Sequence, residues 1–371
     1  MESAFDSSKP ILPLLRFGIV ADVQYADNDD KKAWYNPNKT RFYRNSLKQV
    51  EKAFNFWNKV DSVCPVRFIL QLGDIIDALN KSSDSQLAIE RALNCFLHNP
   101  SMPTFHTIGN HELCNFNRQE MGYLFDKYLF ERSHSDVPFQ LKSSKCPQDN
   151  SSPLYYKFTP MKGVKMISLD TYDISVLGYD PSHPKYKIAS NILEKYHGHT
   201  DFELWDSDRT LVGNEKRFQS SNGALSEEQL EWLNKELHES DLENEIVIVF
   251  GHVGLHSQSC GWDSLLWNYD QVIECFHRHR CVVAYFSGHA HNSGYALDDG
   301  IHYVVFHGVI ETDPKEEAFA TITVFDDRIF IDGKGVEQQM TLKLRQSIGT
   351  TTMEIDHVED GVHIVEIEVE V

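Results

Sequence analysis

Val66-Arg67-Phe68-Ile69-Leu70-Gln71-Leu72 runs directly into Gly73-Asp74-Ile75-Ile76-Asp77. A short run rich in β-branched, aromatic and leucine side chains, closed by a glycine, reads as a buried strand rather than a helix. Its end delivers a carboxylate. The same arrangement recurs along the chain. Leu14-Leu15-Arg16-Phe17-Gly18-Ile19-Val20 leads into Ala21-Asp22, and Thr104-Phe105-His106-Thr107-Ile108 into Gly109-Asn110-His111. Glu245-Ile246-Val247-Ile248-Val249-Phe250 leads into Gly251-His252, and Val282-Val283-Ala284-Tyr285-Phe286-Ser287 into Gly288-His289.

Between these runs lie helical patterns around Tyr43 to Lys59, Ser85 to His98 and Ser226 to Ser240, the last opening on Ser226 with Glu228 and Gln229 behind it as a cap. Alternating strands and helices predict an α+β or α/β fold, with sheets covered by helices. In such folds ligands gather beyond the carboxyl ends of strands, which is where every unusual residue above falls. Phe319 to Phe325 and Arg328 to Ile331 predict closing antiparallel strands. Residues 170–222 are polar and rich in Tyr and His, an insertion over the site or a surface excursion. Residues 1–335 are expected to form the main domain and 336–371 an extension, whose Ile364 to Val371 alternates as an edge strand or a poorly ordered tail.

With 371 residues the chain can bury a sizeable core without disulfide staples. Its seven cysteines are scattered, form no CxxC pair and read as reduced thiols of a cytoplasmic protein. The first residues, Met1 to Asp6, lack the basic start and apolar core of a signal peptide, and no apolar run is long enough to span a bilayer. A formal net charge of −20 repels a nucleic-acid backbone, so long DNA or RNA is not an expected partner. A small anionic substrate remains compatible if bound cations reverse the local field.

The strand-end residues in order are Asp22 and Gln24, Asp74, Asn110 and His111, His252, then His289 and His291. Carboxylate, amide oxygen and imidazole suit divalent ions such as Mn²⁺, Fe²⁺ or Zn²⁺. One Asp can bridge two ions, and two ions roughly 3.5–4 Å apart neutralise phosphate charge during in-line displacement. Each residue alone has an ordinary reading: a turn Asp, a loop Asn, a solvated His. Their joint occurrence, each closing a strand, points to a site.

The blocks Asp22-Val23-Gln24, Gly73-Asp74-Ile75-Ile76-Asp77, Gly109-Asn110-His111-Glu112, Gly251-His252 and Gly288-His289-Ala290-His291 resemble those of the calcineurin-like metallophosphoesterases, from about Arg16 to Gly335. The resemblance implies a four-layer sandwich: two mixed β-sheets flanked by helices, with a dinuclear metal site at one edge. It implies that Asp22, Gln24, Asp74 and His291 bind one ion and that Asp74, Asn110, His252 and His289 bind the other. His111 would be the catalytic acid or charge stabiliser near the departing oxygen, and Asp77 would orient His111 or a ligand.

Gln24 stands where that family commonly has His. An amide oxygen is a harder donor, which favours Mn²⁺ or Mg²⁺ over Zn²⁺; the other reading leaves Gln24 outside the metal shell. Ala21 to Asp27, Thr40 to Leu47, Leu169 to Gly178, Asn222 to Leu233, Leu265 to Tyr269 and Gly308 to Thr312 are similar to stretches of the manganese-dependent ADP-ribose/CDP-alcohol diphosphatases. That likeness implies cleavage of a pyrophosphate bond in ADP-ribose, CDP-choline or CDP-glycerol; separately, a monomer is the expected state. Tyr35 and Trp267 are candidate base-stacking residues, with Trp34 and Tyr269 beside them. Rival readings are a cyclic-nucleotide phosphodiesterase or a phosphomonoesterase with the same metals, and a non-catalytic scaffold.

Overall fold

The five apolar runs that end in polar residues are all strands, and the three helical patterns are all helices. The computed structural model describes residues 12–60, 63–80, 83–97, 102–125, 127, 154–200, 202, 211–345, 348, 354–358 and 361–365. The first half of the chain gives β1 (Leu15–Val20), a hairpin of β2 (Lys31–Ala33) and β3 (Asn36–Arg41), α1 (Asn45–Trp57), β4 (Val66–Gln71), α2 (Ser85–Leu97), β5 (Thr104–His106), α3 (Asn110–Asn115) and α4 (Arg118–Phe125). There follow β6 (Tyr156–Met161), β7 (Val164–Ser168), α5 (Pro184–His197), α6 (Glu227–Leu242), β8 (Ile246–Phe250), α7 (Tyr269–His277), β9 (Val282–Ser287), β10 (Gly294–Asp298) and β11 (Ile301–Val305). The chain then closes with β12 (Ala318–Val324), β13 (Arg328–Gly335), β14 (Met340–Lys343), β15 (Glu354–Val358) and β16 (Gly361–Val365).

Two six-stranded sheets form, in the orders β14-β13-β12-β1-β4-β5 and β10-β11-β9-β8-β7-β6. Both are mixed. β1, β4 and β5 are parallel while β12 to β14 join antiparallel, and β7, β8, β9 and β11 are parallel with antiparallel β6 and β10 outside them. The parallel centres send five functional strand ends to one edge.

Aromatic side chains join the sheets face to face. Phe105 of β5 stacks on Phe158 of β6 at 3.8 Å, Phe68 meets the same ring edge-on at 5.4 Å, and Tyr156 donates to the His106 carbonyl at 2.8 Å. Trp57 and Phe54 of α1 and Phe96 of α2 are buried with the first sheet, and Leu233, Leu237, Val272 and Phe276 of α6 and α7 with the second. The result is the expected four-layer sandwich.

Ser226 caps α6 by accepting from the Gln229 N–H at 3.2 Å. In the region expected to extend beyond the main domain, β14 pairs with β13 at the edge of the first sheet, whereas β15 and β16 pair with each other. Residues 366–371, most of the acidic alternating segment, lie outside the described residues, as do Cys146 and His98. Among the described residues no helix is long and apolar enough to cross a membrane.

α1 lies so close to β1 that only glycine fits at position 18. A Cβ there would stand 2.5 Å from the Trp57 ring and 2.7 Å from Ile69. The Trp57 indole is itself held by donation to Thr321 at 3.1 Å. Gly18→Ala is therefore expected to lower unfolding stability by about 1–3 kcal/mol through overpacking, measured by denaturant melts.

Candidate dinuclear metal centre

All eight strand-end residues expected from sequence converge. Asp22, Gln24, Asp74, Asn110, His111, His252 and His291 are buried, and His289 is half-buried. Asp22, Gln24, Asp74, His289 and His291 adopt positive φ, from 43° to 67°, a region that side chains other than glycine rarely occupy. Backbone bonds lock the loops together: the Gln24 N–H donates to the Asp74 carbonyl at 2.8 Å, and Ile310 N–H to the Asp22 carbonyl at 3.0 Å. Strain concentrated at one edge and held by neighbours is the signature of a functional site.

Ligand-capable atoms of Asp74, His252 and His289 lie within 4.8 Å of one another, and so do those of Asp22, Asp74 and His291. Asp74 belongs to both groups. Its Oδ2 lies 3.3 Å from His252 Nε2, while its Oδ1 accepts from the His111 N–H at 2.9 Å. Asn110 Oδ1 lies 3.3 Å from His252 Nε2 and accepts from the Tyr172 hydroxyl at 3.3 Å.

Each of the three histidines is fixed from behind. His252 Nδ1 donates to the Leu72 carbonyl at 2.7 Å, His289 Nε2 to Asn222 Oδ1 at 2.7 Å, and His291 Nδ1 to Glu311 Oε1 at 2.9 Å. These acceptors turn the opposite ring nitrogen toward the cluster, where it can carry a proton or bind a metal in its place. Burial opposes protonation at His252 and His291, yet the carboxylates of Asp74 and Asp22 around the first, and of Asp22 and Glu311 around the second, raise both to about 9. Negative charge here calls for cations.

Two further observations fit divalent ions. Asp22 and Asp74 are 0% and 1% exposed, and among the described residues no lysine or arginine pairs with either. Buried carboxylates need compensation that imidazoles and N–H groups supply only in part. Gln24 places its Nε2 2.9 Å from both Asp74 Oδ2 and His291 Nε2, leaving its buried Oε1 without a partner among the described residues. Amide nitrogen and oxygen are interchangeable by rotation of the terminal group, which brings the oxygen to the point where Asp74 and His291 converge. That makes Gln24 a suitable oxygen donor.

His111 sits beside this cluster. Its Nδ1 accepts from the Ala78 N–H at 2.8 Å, so its Nε2 carries the proton. Asp77, expected to orient it, lies 3.5 Å from the same Nδ1 and pairs with Arg41 at 3.3 Å, so the backbone amide sets the tautomer. Tyr35 is 44% exposed, its hydroxyl donating to Glu311. Trp267 differs from the stacking surface expected of it. It is 3% exposed, packs with Ile174, Phe218 and Ala224, and donates to the Gln219 carbonyl at 3.1 Å. Of the described residues within 170–222, Tyr172 and Asn222 reach the cluster.

Sequence reasoning missed Glu311, Asn222, Tyr172 and Glu112. All four lie within stretches singled out by resemblance, and Glu112 also adjoins Asn110-His111. Its carboxylate accepts from four backbone N–H groups: Gly109 at 2.8 Å, Asp74 at 2.9 Å, Ile75 at 2.5 Å and Ile76 at 3.2 Å. One side chain thus clamps two strand-end loops. Glu112→Gln turns an amide donor toward those donors and is expected to cost about 1.5–3 kcal/mol, read by chemical denaturation of metal-stripped protein.

Residues 15–293 match the family model described as calcineurin-like phosphoesterase. The manganese-dependent ADP-ribose/CDP-alcohol diphosphatase of Xenopus laevis is 37% identical over 90% of this chain and 91% of its own length. The Homo sapiens protein of that name is 36% identical over 90% and 93%. The crystal structure of a dimetal phosphatase from Danio rerio superposes with a TM-score of 0.78 at 30% identity, covering 90% of this chain and 99% of that one. Strand order, converging donors and these similarities agree: the chain belongs to the calcineurin-like phosphoesterase family, among relatives named manganese-dependent ADP-ribose/CDP-alcohol diphosphatase.

Proposed function

We propose that this protein hydrolyses the pyrophosphate bond of ADP-ribose and CDP-alcohols such as CDP-choline and CDP-glycerol, releasing a nucleoside monophosphate and a phosphorylated sugar or alcohol. The observation that carries the reading is the pair of donor groups sharing Asp74, set in a chain more than a third identical to diphosphatases over nine-tenths of its length.

Asp22, Gln24, Asp74 and His291 would hold one ion, and Asp74, Asn110, His252 and His289 the other. Mn²⁺ suits the mixed oxygen and imidazole donors and stands in the relatives' name, with Mg²⁺, Zn²⁺ or Fe²⁺ as alternatives. When bound, the pair supplies Lewis-acid activation of water and neutralises phosphate charge. Glu311, Asn222 and the Leu72 carbonyl keep the three imidazoles aimed, so little reorganisation is needed as charge develops.

His111 presents an Nε2–H. Burial holds its pKa below the ordinary range despite Asp74 and Asp77, which suits a neutral hydrogen-bond donor better than a strong acid. Such a donor stabilises a departing phosphate, already a good leaving group, more readily than it protonates an alkoxide. The exposed Tyr35 ring offers a face for a nucleobase of either kind. This division of labour favours anhydrides over simple phosphate esters. A small-molecule substrate also accords with a surface of net charge −20, on which long nucleic acid gains no purchase.

The test assays metal-stripped protein on ADP-ribose, CDP-choline, cyclic AMP and p-nitrophenyl phosphate with Mn²⁺, Mg²⁺ or Zn²⁺ restored. Mn²⁺-dependent turnover of the first two is expected. Asn110→Ala should lower it by more than about 100-fold, beyond the 10–100-fold common for an outer-sphere change. Turnover confined to cyclic AMP or the monoester would overturn the substrate assignment, and inactivity with every metal would overturn the enzyme reading.

A further inference from the structure

The β2–β3 hairpin belongs to neither large sheet; its two strands form a sheet of their own. Its side chains converge on one carboxylate. The Tyr35 hydroxyl donates to Glu311 Oε1, Lys39 Nζ lies 2.8 Å from Oε2, and Arg41 Nε lies 3.5 Å from Oε1. Lys39 Nζ also donates to Asn292 Oδ1 at 2.8 Å, one residue beyond His291. The Glu311 side chain is wholly buried, and its Oε1 is the acceptor for His291 Nδ1 at 2.9 Å. The atom that aims His291 is thus the atom to which the hairpin is fastened.

We propose that Tyr35 and Lys39 are positioning residues, which hold Glu311 in the orientation that aims His291, so that hairpin docking and ion affinity at the Asp22–Gln24–Asp74–His291 group are linked. The inference rests on His291 being a metal ligand, as in the function proposed above. Glu311 has two oxygens, and Tyr35, Lys39 and Arg41 constrain both. Without them the carboxylate can rotate away from His291 and the imidazole loses its fixed tautomer. Linkage is reciprocal: what the hairpin contributes to ion binding, the ion returns to hairpin docking.

Charge alone predicts the opposite sign for one variant. Removing the Lys39 cation lessens repulsion of an incoming ion and should tighten binding; removing a positioning contact should loosen it. Tyr35→Phe removes a hydroxyl with no change of charge and keeps the aromatic ring. Both residues are partly exposed, with 44% of Tyr35 and 23% of the Lys39 side chain accessible, so either substitution leaves the core intact. Lys32, bound to Thr40 on the same hairpin at 3.0 Å, provides a control remote from Glu311.

The experiment titrates Mn²⁺ into metal-stripped full-length protein by calorimetry, with free Mn²⁺ read in parallel by electron paramagnetic resonance. Two ions are expected to bind the parent chain. Tyr35→Phe and Lys39→Gln should each weaken one of the two sites by about tenfold, at the lower end of outer-partner effects, and Lys32→Met should change neither. Hydrogen exchange across residues 31–41 should slow on Mn²⁺ addition in the parent chain and less so in Tyr35→Phe. Unchanged or tighter binding in both variants would overturn the inference while leaving the metal reading intact. A parent chain that takes up no Mn²⁺ would overturn the metal reading itself.

Discussion

The structure turns on two carboxylates, Asp22 and Asp74, buried at the ends of adjacent parallel strands with no lysine or arginine paired to either among the described residues. Placing uncompensated negative charge in an interior is costly, and a fold retains it only where something positive binds. Three imidazoles, each held by an acceptor behind it, turn their other nitrogen inward, where a bound cation can take the place of the proton that the carboxylates favour on His252 and His291. The grouping suits cations, which would offset the carboxylate charge gathered there.

Holding such a grouping demands backbone that L-residues avoid. Five of its members have positive φ, each at a cost of order 1–3 kcal/mol, and the surroundings over-determine them. Glu112 ties the Asp74 loop to the Gly109 turn through four amides, and the first loop is zipped to the second by Asp22, Gln24 and Tyr25. The stacked Phe105 and Phe158 rings fix the two sheets face to face, so that Asp74 from one and His252 from the other meet within 3.3 Å. Packing far from the site therefore sets its geometry.

Outside the donors lies a second ring that makes them directional. Glu311 carries both an imidazole and a hairpin, and Asn222 anchors His289 while donating to the Arg217, Asp263 and Leu265 carbonyls. Tyr172 reaches Asn110 from the loop after β7. Residues distant in sequence thus share control of one small volume, and the loops that carry them are tied to the donors by hydrogen bonds.

The eight innermost residues were legible in the sequence because each closes a short apolar run, and a buried strand that ends in Asp, Asn or His has few other reasons to do so. Strands β1, β4, β5, β8, β9, β12 and β13 and three of the helices were legible for a similar local reason, hydrophobic periodicity, whereas the layering of two sheets was implied by the resemblance. Orientation was not. Nothing around Glu311 marks it as the partner of His291, because that bond exists only once the turn after β11 is packed against the turn after β9. Trp267 read as a base-stacking candidate, yet it is buried with Ile174, Phe218 and Ala224. Sequence determined which atoms could bind; tertiary packing decided where their lone pairs point, since a hydrogen-bond partner is chosen by distance in space and not along the chain.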